Sequence, residues 1–171
     1  MKIVRDAAKI CLSLLMLAAS PAHAAGHASF PSFVPQEVRS ALGAWLGDHP
    51  GYELMTEADC HCTADLKQIR VLGSGAKAQP DYQPYFVRGD FDGDHRLDTA
   101  IAVTRDHNRF QVLILAGKAG NRPYLSPPID VGDLLFIDAN GRLSVGPLGT
   151  DFYDEFIPAR DGSYLLKVPG Q

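Results

Sequence analysis

Asp90, Asp92, Asp94 and Asp98 fall within nine positions of one another and run straight into the apolar stretch 99–103. No other feature limits the fold so tightly. A strand apolar enough to be buried must begin where four carboxylates crowd together, and uncompensated carboxylates repel one another and raise their own pKa values. The segment "GDFDGDHRLDTAIAV" therefore requires either a fully solvated turn or a cation. The ordering of its oxygen donors favours the cation. In a calcium loop, carboxylates at positions 1, 3 and 5 converge as the backbone curls, position 7 offers its carbonyl oxygen, and a later carboxylate closes the shell. Asp90, Asp92, Asp94, the backbone carbonyl of Arg96 and Asp98 fill these roles in order. A flexible loop rich in oxygens suits calcium better than the smaller, strictly octahedral magnesium. An EF-hand would need an acidic residue at its twelfth position, which is Ile101, and helical flanks where this sequence reads as strands. The expected loop is a nine-residue connection that pins one strand against the next.

Upstream, Lys2, Arg5 and Lys9 precede the short apolar run 10–19, and Ala22-His23-Ala24 has the small-residue spacing that signal peptidase reads. Residues 1–24 are expected to be a signal peptide, with cleavage after Ala28 as the competing boundary. The mature chain is then periplasmic or extracellular. Removing this leader takes away three basic residues and one acidic residue, so the formal charge moves from -4 to -6 over 147 residues. An acidic surface repels phosphate backbones, which argues against nucleic acid as a partner and favours a cationic one. No later segment approaches the roughly 20 apolar residues of a spanning helix, so no membrane span is expected in the mature chain. The length fits one domain with one core.

Within residues 25–72 the pattern is helical. Val38, Ala41, Leu42, Trp45 and Leu46 recur on one face after Pro35, with Gly47 and Pro50 as stop signals. A short strand at 52–55 and a second helix at 64–71, capped by Thr63, are expected to follow. Residues 73–80 form a flexible connector of small residues and proline. Across 81–171 the period changes to that of strands, expected at 85–88, 99–104, 110–115, 134–137, 143–145, 152–157 and 164–168. In 110–115, Phe110, Val112 and Ile114 share one face while Leu113 and Leu115 share the other, as in a central strand covered on both sides. Asn140-Gly141 predicts a two-residue hairpin, and "ARDG" at 159–162 a turn of the same kind. The expected fold is α+β: two N-terminal helices packed on one face of a curved antiparallel β-meander of five to seven strands.

The segment 89–103 also resembles the calcium-binding stretch of FG-GAP and VCBS-type repeats, whose pattern is G-D-F-N/D-G-D-G-x-x-D-x-A-V. The resemblance covers about fifteen residues and implies ligands at Asp90, Asp92, Asp94 and Asp98. His95 departs from the pattern, standing where those repeats carry a glycine in left-handed conformation. A single copy cannot build a propeller, so the adhesive roles of multi-blade relatives do not carry over.

A second constellation, "DCHC" at 59–62, admits two readings. In an oxidising compartment Cys60 and Cys62 pair with each other as a disulfide or remain a thiol pair. Alternatively Cys60, His61 and Cys62 offer soft ligands to copper or zinc. The disulfide is favoured, although its very small ring constrains the unfolded chain little. Enzyme signatures are sparse: "LGSGA" is not G-x-S-x-G, "LAGKAG" lacks a phosphate-binding loop's first glycine, and H-E-x-x-H is absent. Two functions stay open. The first is a non-enzymatic exported calcium-binding module that binds a protein or envelope component, in the manner of an inhibitor or immunity protein. The second is a small envelope hydrolase using Asp151 and Glu155 as paired carboxylates.

Overall fold

The computed structural model describes residues 30–72, 78–118, 120, 122–147, 150 and 152–167. The expected signal peptide, most of the connector 73–80, Asp151 and the last expected strand residue, Val168, lie outside them. Helix α1, Gln36–Asp48, opens after Pro35, whose ring fixes φ near -62°. It buries Val38, Leu42 and Trp45 and runs through Gly47. His49 ends it by donating its backbone N–H to Leu46 O and stacking its ring on Trp45 at 4.2 Å. Each fully buried side chain on this face contributes about 1.5–3 kcal/mol. After strand β1, Glu53–Leu54, comes a single 3-10 turn, Glu57–Asp59, then helix α2, Thr63–Lys67, which widens into a π turn over Gln68–Leu72. Thr63 is therefore the first helical residue, with Cys62 in the cap position, because Leu66 N–H already bonds to Cys62 O.

Ten strands are described, more than the five to seven expected, and they form two sheets where one was expected. In the first, β3 (Asp98–Thr104) and β4 (Arg109–Leu115) form the antiparallel centre. On its outer side β3 pairs with β1 near one end and with β2 (Phe86–Gly89) along the other. On its outer side β4 pairs with two short strands, β5 (Tyr124–Leu125) and β6 (Ile129–Asp130). The second sheet contains β7 (Leu134–Ile137), β8 (Leu143–Gly146), β9 (Asp154–Pro158) and β10 (Tyr164–Lys167), paired antiparallel in chain order.

Alternation along β3 and β4 supplies two cores. Ile101, Val103, Leu113 and Leu115 pack with Val34, Val38, Leu42 and Trp45 of the α1 layer. Ala100, Ala102, Phe110, Val112 and Ile114 face the opposite way, towards Leu134, Leu143, Val145 and Phe156 of the second sheet. Every residue of β3 is buried, and β4 is covered on both faces as its sequence pattern predicts. The helices, however, do not share a face: Leu66 of α2 joins the core between the sheets, opposite α1. A five-residue helix has room for one deep anchor, and the bridged Cys60–Cys62 segment places it there.

Both hairpin turns differ by one residue from expectation. Asp138 N–H bonds to Arg142 O and Ala159 N–H to Ser163 O, leaving three-residue loops. Only the last residue of each loop, Gly141 or Gly162, takes positive φ, at 80° and 82°. This is the turn-plus-bulge hairpin, and it needs one left-handed residue where the two-residue form needs two.

Candidate metal centre

The acidic loop closes the β2–β3 hairpin, with Gly89 and Asp98 as facing partners in the ladder. Phe91 anchors the loop by burying its ring in the core between the sheets. The side chains around it are then fixed by backbone donors. Asp90 accepts from Gly93 N–H at 2.8 Å through Oδ1 and from His95 N–H at 2.9 Å through Oδ2. Asp92 Oδ1 accepts from Asp94 N–H, and Asp94 Oδ1 from Arg96 N–H. Such bonds curl the chain and hold the carboxylates in place. His95 adopts φ 65°, the left-handed conformation for which the resembling repeats use glycine.

Asp98 differs from the other three because it is fully buried. Its Oδ2 accepts from Phe91 N–H at 2.9 Å and its Oδ1 from Gly117 N–H at 2.7 Å. That second bond ties the loop to the end of β4. It depends on close approach: a Cβ at Gly117 would lie 2.6 Å from Leu97 O. Burial holds the Asp98 carboxyl above its usual range; the two backbone donors oppose the shift, and the charges of Asp92 and Asp94 add to it. A charge placed here is costly unless a cation compensates it.

Asp90, Asp92 and Asp98 each bring one carboxylate oxygen within 4.8 Å of the others. Asp94 does not belong to this trio. An all-oxygen set with a buried anionic member matches a hard divalent cation, and the bonds to Phe91 and Gly117 orient Asp98 as outer partners orient a ligand.

The other sequence candidates fall elsewhere. Cys60 and Cys62 are joined as a disulfide and buried in the core between the sheets, so they have no thiolate to give a soft metal. His61 between them is exposed with φ 50°. Glu155 is held by Arg142 Nη1 at 2.7 Å, which occupies the carboxylate expected of a hydrolase. His107, in the β3–β4 turn, lies 3.0 Å from Asp59 Oδ1 and 3.8 Å from Glu53 Oε2. Sequence reasoning did not find the link to Asp59, which joins residues 48 positions apart.

It also missed a cavity of about 460 Å³ beside the acidic loop, lined by Asp92, Asp94, Tyr124, Tyr164 and the cations Lys118, Arg122 and Arg160. No single motif could have announced it, since its walls come from four separated segments. No family model matches the chain, and no curated protein or solved structure matches it either.

Proposed function

We propose that the mature chain is an exported calcium-binding protein of the periplasm or the extracellular space. It acts without catalysis, by binding a protein or envelope component. The ion is held by Asp90, Asp92 and Asp98, with Asp94 and the Arg96 carbonyl as the further donors implied by the FG-GAP and VCBS likeness. One observation carries the proposal: the fully buried Asp98 carboxylate, with two backbone donors, has two more carboxylate oxygens within 4.8 Å and no side-chain cation paired to it among the described residues. Calcium supplies the missing charge, and its binding energy becomes folding energy because the unfolded loop has no preformed site. Export rests on the leader sequence, and a cationic partner rests on the acidic charge of the mature chain. Among the described residues no helix is long and apolar enough to cross a membrane. The test is thermal melting of the mature chain in chelator and after calcium is restored. Chelation is expected to lower the melting temperature reversibly; an unchanged melt, together with no heat in a calcium titration, refutes the centre.

A further inference from the structure

Tyr164, at the start of β10, is only 7% exposed as a residue, its hydroxyl is not one of the buried polar atoms left without a partner, and no described residue accepts a hydrogen bond from it. The hydroxyls of Tyr52 and Tyr82, by contrast, donate to Gln111 Oε1 and Leu135 O. Tyr164 lines the cavity beside the acidic loop. The Tyr124 ring packs against it at 5.3 Å between centroids. A tyrosine phenol is protonated at neutral pH, so it can donate a hydrogen bond into the cavity. At about 460 Å³ the cavity has the size of a small-molecule site.

The charge pattern selects the ligand class. Lys118, Arg122 and Arg160 line the cavity, and none of them is in an ion pair among the described residues. Asp92, Asp94 and Asp161 balance them formally. A divalent ion in the neighbouring centre tips that balance by two positive charges and engages the carboxylate of Asp92.

We propose that this cavity binds a compact organic oxyanion, a carboxylate or a phosphate monoester, which accepts a hydrogen bond from Tyr164 and faces Lys118, Arg122 and Arg160. The oxyanion and calcium strengthen each other's binding by the same factor, as linkage requires. This site rests on the calcium centre proposed above, and the experiment separates the two.

The mature chain is titrated calorimetrically with calcium alone. It is then titrated with glucuronate and with glycerol 3-phosphate, in calcium and in chelator, with glucose and glycerol as neutral counterparts. Calcium is taken up, at least one anion binds about tenfold more tightly in calcium, and the neutral compounds do not bind. Glucuronate alone identifies a carboxylate source, and glycerol 3-phosphate alone a phosphate source. Tyr164→Phe weakens the anion about tenfold while leaving calcium uptake and the melting temperature intact, because the lost hydroxyl bonds to no other described residue. Arg160→Gln, at an exposed turn, provides a second variant with the same direction of effect. Calcium uptake without binding of either anion, equal binding of the neutral compounds, or anion affinity indifferent to calcium and to Tyr164→Phe overturns the oxyanion site. Absent calcium uptake overturns the centre itself.

Discussion

Replacing Asp98 with Asn separates the buried carboxylate's two tasks, organising the loop and, in the proposed centre, holding a cation. The side chain keeps its shape, but one oxygen becomes an amide nitrogen that cannot accept. Phe91 N–H and Gly117 N–H bond to opposite oxygens of Asp98, so Asn satisfies one and leaves the other orphaned. An orphaned buried donor costs about 1–3 kcal/mol. For a chain of this size about 1 kcal/mol moves the melting temperature by roughly 2–4 °C. Loss of a buried negative charge offsets part of this, so in chelator the variant should melt about 2–6 °C below the parent. Calcium should then make the difference larger. At a hundredfold excess over its dissociation constant a ligand adds about 2.7 kcal/mol, or roughly 5–11 °C here. The parent should show that rise and Asp98→Asn should show almost none. Differential scanning calorimetry in chelator and in calcium reads both quantities. A variant whose calcium-induced rise equals the parent's refutes the assignment of Asp98 as a ligand.

Acidity provides a second check. Because the folded Asp98 carboxyl sits above its ordinary value of 3.8, the calcium-free protein gains stability from this group as pH falls through the folded value towards 3.8, and loses it as pH rises. Calcium competes with that proton, so its affinity should weaken over the same acidic window, and Asp98→Asn should flatten both trends in melting curves recorded against pH. Reducing Cys60–Cys62 should cost no more than about 2 kcal/mol, because the closed loop is tiny; denaturation with and without reductant measures this. Trp45→Ala should cost about 3–5 kcal/mol in chemical denaturation, since Trp45 is a buried anchor of α1 on the first sheet. Glu155→Gln should change stability by less than about 1 kcal/mol, as its partner Arg142 is half exposed.

Much of the architecture can be read from short-range pattern. The alternation in Phe110–Leu115 assigns each of its five apolar residues to one of two cores, and the 3.6-residue recurrence of Val38, Leu42 and Trp45 assigns the helix its face. The acidic loop is legible because its donors are close in sequence and their order is set by backbone curvature. Other features depend on contacts that local pattern does not encode. Strands β5 and β6 are two residues each, set among Pro123, Pro127 and Pro128, and two residues carry no period. The division into two sheets depends on where β7 goes after Gly132, which takes φ 111°, and on Leu135 N–H bonding to Pro84 O. The burial of Asp98, as against its three neighbours, follows from its pairing with Gly89 and its bond to Gly117, 19 residues away. Tyr164 looks like any strand tyrosine until the fold brings it beside the loop.

Strand β3 belongs to both interiors at once, and Asp98 is its first residue. Whatever loosens that residue therefore works on the beam that both halves of the molecule rest on. Starved of divalent ions, such a protein should weaken as a unit, with its helical layer and its second sheet melting together.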